Sequence, residues 1–339
     1  MIRVLIAAGV ALVVSIAIGP RFIEFLRRNE FGQHIREEGP QHHMAKQGTP
    51  TMGGLLILFA ATIGFLPVSH YRLQALTVLF TALACGAIGF LDDFIKLTHK
   101  RSLGLSGRWK LVLLAVVTAV VGVVAHHLHL STGVYIPVVD VWVPLSYAWY
   151  PFLFFVIGGA SNGTNLADGA DGLLAGTAII ALFTFTAMNV VSYVRSGHLV
   201  HGVPVDRNVT KLDLAIVGAA LIGAAIGFLW FNAFPAELQM GDTGSMAFGG
   251  ALAAFAIMMK KEFLLLFLGG IFVIEALSVM IQVFSFKRFG RRVFLMAPIH
   301  HHFEMKAWSE TKIMVRFWIV AGLLCAVGFA LFYRYYFPA

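Results

Sequence analysis

The sequence predicts an all-α fold, a polytopic membrane helix bundle of about ten transmembrane helices, on three observations. Of 339 residues, 59% are hydrophobic and only 12% charged, with mean hydropathy +0.82; soluble domains carry roughly 25% charged residues. The apolar residues come in continuous runs, near the length of about 20 residues that a helix needs to cross a bilayer core. Those runs lack the short alternation of a membrane barrel, the other way to satisfy backbone polar groups in lipid.

The first run, "MIRVLIAAGVALVVSIAIG", resembles a secretory leader, but no small-residue cleavage site follows, so it is expected to stay as a first span over 2–20. Further spans are expected near 51–68, 75–91, 111–130, 148–160, 172–194, 212–231, 243–259, 263–285 and 313–333, with boundaries loose by a few residues. Cys85 and Cys325 fall inside apolar runs and are expected to pack in the core. No internal repeat or low-complexity linker interrupts the chain, so residues 1–339 are taken as a single integral-membrane domain.

Charge orients the bundle. The loops after odd-numbered spans hold 17 of the 25 Lys and Arg residues, counting Lys312 and Arg316 at the start of the last span. Those loops are therefore expected in the cytoplasm, and both termini on the non-cytoplasmic side. The net charge of +8 does not indicate nucleic acid, because the basic residues lie in loops between spans, where they orient the chain and meet anionic lipid or phosphate. Lys260 and Lys261, on the other face, are expected as interfacial anchors.

Polar clusters obey the same parity. "GTPTMGG", "DDFIK", "SNGTNLADGADG", "FNAFPAELQMGDTGS" and "APIHHHFE" all fall in or beside odd-numbered loops, and so on one membrane face. Even-numbered loops such as "HHLHLSTGVYIPVVDVWVPLS" show no comparable grouping of Asn, Asp and Gly. A polar site built from five loops on one face suits a water-soluble substrate that meets a lipid.

Asp92 and Asp93 end the third span, where the helix dipole disfavours anions, so capping does not explain them. They are either a solvated loop start or a carboxylate pair that holds Mg²⁺ or accepts a proton; Mg²⁺ prefers one or two carboxylates plus substrate phosphates. Asn162, Asn165, Asp168 and Asp171 offer turn chemistry, with Asp171 a candidate cap for the sixth span, or recognition of a hydrogen-bonding ligand such as a nucleoside. Asp242 suits an N-cap of the eighth span, or a metal ligand on the face of Asp92 and Asp93. Asn232 closes the seventh span on that side, placed to hydrogen-bond substrate.

His300, His301 and His302 are consecutive, so they cannot all point at one metal, and zinc is weakly supported. They form either a surface tract or contacts to phosphate or sugar, flanked by Lys287, Arg288, Arg291, Arg292 and Lys306. Glu275 and Gln282 lie seven residues apart inside the ninth span and share a face, as a functional pair or as buried hydrogen-bonding groups. Lys46, Lys96 and Lys110 flank the polar loops and together could gather diphosphate charge. ATP-binding motifs are absent.

In "KQGTPTMGG" (46–54), "FLDDFIK" (90–96), "GLSGRWK" (104–110), "NLADGADGLLAG" (165–176), "FLWFNAFPAELQMGDTGS" (228–245) and "APIHHHFE" (297–304), the chain resembles the phospho-N-acetylmuramoyl-pentapeptide transferases of the polyprenyl-phosphate N-acetylhexosamine-1-phosphate transferase superfamily. The resemblance covers essentially the whole chain. It implies a Mg²⁺-dependent reaction at the cytoplasmic face of the bacterial inner membrane, in which undecaprenyl phosphate attacks the β-phosphate of UDP-N-acetylmuramoyl-pentapeptide. UMP leaves and lipid I stays in the membrane. By the same resemblance Asp92 is the acid that deprotonates the lipid phosphate, Asp93 its neighbour near the metal, and Asp242 a metal ligand. Asn165, Asp168, Asp171, Asn232 and Lys46 match the nucleoside side. The histidines match a catalytic or substrate-binding segment, with His301 catalytic and His300 and His302 on substrate. Thr51, Lys110, Asn162 and Gln282 complete the expected substrate-binding set. The chain departs from the family pattern at Gln239, where an aromatic residue often stands, and at Leu103-Gly104, where a Lys usually precedes "GLS".

The partners implied are the UDP-linked donor, undecaprenyl phosphate and membrane lipid, with no nucleic acid and a homodimer left open. The alternatives are a related transferase using UDP-N-acetylglucosamine, from which the His-rich segment separates this chain, and a transporter. A transporter would place polar residues at mid-membrane in repeated halves. A CDP-alcohol phosphotransferase is echoed by "DGADGLLAG", but its downstream acidic pair is missing.

Overall fold

A computed structural model describes residues 1–29, 48–99, 104–197, 199–200, 203–204 and 207–336. Its helices are α1 (Ile2–Arg28), α2 (Gly54–Phe65), α3 (Leu73–Thr98), α4 (Gly107–His127), α5 (Trp149–Ala167), α6 (Leu173–Ser196), α7 (Val209–Asn232), α8 (Gly241–Met258), α9 (Leu265–Leu268), α10 (Gly270–Phe289), α11 (Ile299–Glu304) and α12 (Glu310–Tyr336). Seven of them, α1, α3, α4, α6, α7, α10 and α12, are long and apolar enough to cross a membrane. A helix also occupies each of the other three segments expected to span: the short α2, and α5 and α8, which are polar at one end.

α8 is the axis of the bundle. Every residue from Thr243 to Met258 is buried, against α3, α5 and α2. Outside it, α1 packs on α7 and α2, α6 on α7 and α12, and α10 on α5. Lipid is as apolar as a leucine side chain, so helices in a membrane associate by close backbone approach at small residues. A Cβ on Gly54 would overlap the Gly244 backbone, and one on Gly89 would overlap the Asp242 carbonyl. On Gly250 it would meet Cys85 Sγ at 2.7 Å. Cys85 and Cys325 are both buried and free.

Several elements run past the expected ends. "DDFIK" is helical within α3, and Ser161–Ala167 is the last part of α5 rather than loop. The apolar pattern stops earlier than the helix because it registers exposure to lipid; these last turns face protein, where polar side chains find partners. The ninth span divides at Gly269 into α9 and α10. The architecture otherwise expected as all-α also carries two small antiparallel hairpins. The first pairs β1 (Gly133–Ile136) with β2 (Val141–Pro144), in a segment rich in β-branched residues. The second pairs β3 (Leu199–Val200) with β4 (Val203–Pro204).

At the end of the bundle that carries these hairpins, buried Asp213 of α7 accepts from Ser69 Oγ (3.1 Å), His70 N (2.7 Å) and Arg72 N (2.8 Å), fastening the α2–α3 turn. Lys260, expected as an interfacial anchor, lies over the Trp149 ring beside buried Glu262, and Lys261 lies 5.9 Å from the Phe332 ring centre.

Candidate active site

Consecutive helical residues point about 100° apart, so the pair in "FLDDF" diverges. Asp93 turns to the N-terminus of α8. Its Oδ1 accepts from Asp242 N at 3.1 Å, and its Oδ2 from Thr243 N at 2.9 Å and Thr243 Oγ1 at 2.7 Å. The first N–H groups of a helix have no partner within it and carry its positive dipole end. A carboxylate from α3 thus caps α8. Position 242 is not the cap that local pattern suggested: Met240 holds the N-cap position without a side-chain bond. The dipole argument against acids at the end of α3 is also answered, because the neighbouring helix supplies the favourable field.

Asp242 is left free to turn toward α3 and α4, where its Oδ2 lies 2.8 Å from Lys110 Nζ and 3.2 Å from Lys96 Nζ. The same two ammoniums reach Asp92, Lys96 at 2.6 Å and Lys110 at 3.0 Å. Asp92 Oδ1 also accepts from Leu105 N at 2.7 Å. A Cβ on Gly104 would meet that carboxylate at 2.5–2.6 Å, so the loop before α4 lies directly on it. The family pattern departs beside this contact; Leu103 itself lies outside the described residues.

Ligand oxygens of Asp92, Asp93 and Asp242 all lie within 4.8 Å of one another. Two ammoniums against three carboxylates leave an excess of negative charge in a mostly buried place. Hard carboxylate oxygens on helices locked together at Gly89 suit a divalent cation that shares its remaining positions with phosphate oxygens. The donor set therefore fits Mg²⁺.

A second network adjoins the first. Gln239 donates through its backbone to Pro50 O at 2.8 Å and accepts from Gly53 N at 2.9 Å. Its side chain donates to Asp171 Oδ1 at 2.9 Å, while Asp171 Oδ2 accepts from Ala236 N at 3.0 Å. Asp171 therefore does not cap α6, whose N-cap is Gly172 in the left-handed region. Asn232 holds the same turn, accepting from Gly172 N at 3.1 Å and donating to Leu238 O at 2.9 Å. Thr51 is buried against the Gly241 turn: a Cβ on Gly241 would meet Thr51 Oγ1 at 2.9 Å and Asp93 Oδ2 at 2.6 Å. Asn165 donates to Ser245 Oγ at 2.9 Å, Asp168 is half-buried at the end of α5, and Asn162 is exposed, bonded to Gly158 O.

The histidines of α11 take separate partners, although the His300 and His301 ring centres lie only 4.1 Å apart. His300 is fully buried, with Nδ1 3.1 Å from Glu275 Oε1, and its ring lies against Gly169. His301 Nδ1 lies 2.7 Å from Glu304 Oε2. His302 Nδ1 accepts from Leu295 N at 3.1 Å. Gln282 does not share a contact with Glu275; it clamps the backbone of Val293 and Phe294. Lys46 lies outside the described residues. Thr243, Leu105 and Glu310, which accepts from Asp171 N, were not anticipated, and only the i,i+4 spacing of Asp92 and Lys96 carried a sequence signal of its pairing.

A helical membrane bundle with a lysine-bridged acidic cluster at its helix ends marks a membrane-embedded transferase, and the family described as Glycosyl transferase family 4 matches residues 75–260. Residues 46–58 match the description "Phospho-N-acetylmuramoyl-pentapeptide-transferase signature 1". The chain is 46% identical over 318 positions to the phospho-N-acetylmuramoyl-pentapeptide-transferase of Bacillus pumilus (strain SAFR-032), covering 93% of each chain. It is 47% identical over 349 positions to that of Frankia alni (97% of each) and 45% over 328 positions to that of Anoxybacillus flavithermus (96% of each). The chain belongs to the phospho-N-acetylmuramoyl-pentapeptide-transferase family.

Proposed function

We propose that this chain transfers phospho-N-acetylmuramoyl-pentapeptide from its UDP-linked donor to undecaprenyl phosphate, yielding lipid I and UMP. The observation that carries the reading is the convergence of Asp92, Asp93 and Asp242 within 4.8 Å, in a chain of a family named for this transfer. Phosphoryl chemistry depends chiefly on positioning and charge neutralisation, and two carboxylate-bridging lysines are suited to both.

An oxygen of the acceptor phosphate bonds to the β-phosphorus of the donor, and the bond from that phosphorus to the oxygen bridging to the α-phosphate breaks. UMP leaves with the electron pair. Asp92 is the proton holder in this reading, its buried carboxylate standing 2.6 Å from the Lys96 ammonium and 3.0 Å from that of Lys110. Lys96 and Lys110 draw in the diphosphate. Mg²⁺, held by Asp242 and Asp93, would neutralise the diphosphate oxygens. Asp93 also fixes the first turn of α8 on which Asp242 stands.

Thr51, Asn162, Asn165, Asp168, Asp171, Asn232 and Lys46 belong to the donor-binding side in this proposal. His301 acts at the reaction centre, with His300, His302 and Gln282 on substrate. The proposal takes residues 1–339 as one domain with ten crossings of the bacterial inner membrane, both termini outside and the active face in the cytoplasm. The excess of Lys and Arg on that face supports it. The test is incubation of purified protein with Mg²⁺, undecaprenyl phosphate and the UDP-linked donor. UMP and a lipid-linked sugar are expected together; folded protein yielding neither overturns the reading.

A further inference from the structure

Glu275 has no task in the transfer described above, yet it lies fully buried in α10. A carboxylate taken out of water costs free energy unless its oxygens find partners. Both do, on consecutive residues of α11. Oε2 accepts from Ile299 N at 2.9 Å, and Oε1 lies 3.1 Å from His300 Nδ1. Its ionisable partner is thus a histidine rather than a lysine or arginine. The opposite edge of the ring differs. His300 Nε2 is buried without a hydrogen-bond partner among the described residues. A Cβ on Gly169 would stand 2.2 Å from that nitrogen, so it faces the backbone of the turn between α5 and α6. The turn carries Asp168 and Asp171, which stand on the donor-binding side of the proposed reaction.

We propose that Glu275 is a positioning residue that fixes the tautomer of His300. An ionised carboxylate only accepts hydrogen bonds, and imidazole holds a proton more tightly than a carboxylate does. The proton between them therefore sits on Nδ1, directed at Glu275. Nε2 then carries a lone pair toward the donor side, where it accepts an N–H or O–H from the sugar or peptide of the UDP-linked donor. Access needs the 168–172 turn to yield, and at Gly169 no side chain stands in the way. A buried acceptor without a partner is costly, and a hydrogen-bond donor that arrives with substrate removes the cost. Because the same carboxylate holds Ile299 N, the start of α11 and the direction of the ring are set together. The inference rests on the assignment of His300 to the donor; it adds the residue that makes the ring an acceptor there.

The test uses the full chain in detergent with Mg²⁺, undecaprenyl phosphate and the UDP-linked donor. Glu275→Gln keeps the size and can still accept from Ile299 N. Its amide nitrogen, however, donates to Nδ1 and moves the imidazole proton to Nε2. KM for the UDP-linked donor is expected to rise about 10–100-fold, the range seen when a carboxylate behind a metal-bound histidine is removed. KM for undecaprenyl phosphate and apparent Tm are expected to stay near wild type. In a His300→Asn background, Glu275→Gln is expected to change nothing further, because its effect passes through the ring. An equal rise in donor KM in both backgrounds would overturn the inference, as would wild-type kinetics of Glu275→Gln beside a defective His300→Asn. An unchanged donor KM in His300→Asn would overturn the assignment of His300 to the donor, and the inference with it. Imidazole nitrogen NMR of the histidine-labelled chain reads the proton without turnover, His300 being the signal lost in His300→Asn. The Nδ1–H form is expected in the wild type and the Nε2–H form in Glu275→Gln. An Nε2–H form in the wild type overturns the inference even where Glu275→Gln does not fold.

Discussion

Thr243 donates twice to Asp93, through its backbone at 2.9 Å and its hydroxyl at 2.7 Å, so the start of α8 is capped by a carboxylate on α3. One contact sets both the distance between two helices and the place of Asp242, the residue before Thr243. Thr243→Val keeps the shape and removes one donor. Stability is expected to fall by about 1 kcal/mol, and kcat for UMP release to fall more than KM rises. Apparent Tm in detergent and steady-state kinetics check this; no change in either would uncouple the cap from the site.

Asp92→Asn and Asp242→Asn each leave Lys96 and Lys110 with one carboxylate fewer. Formation of lipid-linked sugar is expected to fall by about 10²–10⁴, the range for a positioned acid or base, while the protein still inserts and purifies. Turnover near the wild-type rate in either purified variant would refute the assigned roles.

Removal of divalent cation by excess EDTA is expected to stop UMP release, and Mg²⁺ to restore it, because three carboxylates converge on one small volume. Full activity in EDTA would contradict the reading of Asp93 and Asp242 as metal ligands.

Gly89→Ala and Gly104→Ala separate packing from chemistry. At Gly89 the new methyl overlaps the Asp242 backbone, and a loss of about 1–3 kcal/mol is expected from overpacking. At Gly104 it meets the Asp92 carboxylate on a loop, so turnover should fall, on the order of 10²-fold for a displacement near 1 Å, with little change in apparent Tm. Unfolding measurements beside UMP release tell the two apart; the reverse pattern would show the sites misassigned.

Asp213 serves as a control at the far end of the bundle. Asp213→Ala strands the donors of Ser69, His70 and Arg72 and is expected to cost about 1–3 kcal/mol or more. Kinetic constants of the surviving folded protein should match the wild type; a selective loss of kcat would mean that this end communicates with the site.

Much was legible from residues alone. A lipid solvent forces long apolar helices, so composition and run length disclosed α1, α3, α4, α6, α7, α10 and α12. Parity of the loops brought Asp92 and Asp242 to one face, and the coordinates place them in contact with the same lysines. Less legible were the ends of α3 and α5, since protein-facing turns lose the apolar signature while remaining helical. The replacement of an aromatic residue by Gln239 could be read as a departure, but its bond to Asp171 could not.

By itself the amino-acid order determined which segments are apolar enough to cross a bilayer and which acids share a face, because hydropathy and side-chain type are local properties. Only the tertiary structure decided that Asp93 caps a helix 150 residues away and that Asp242 instead meets two lysines. That choice depends on how closely α3 and α8 approach at Gly89, and a backbone-to-backbone contact between distant segments leaves no periodicity in either one.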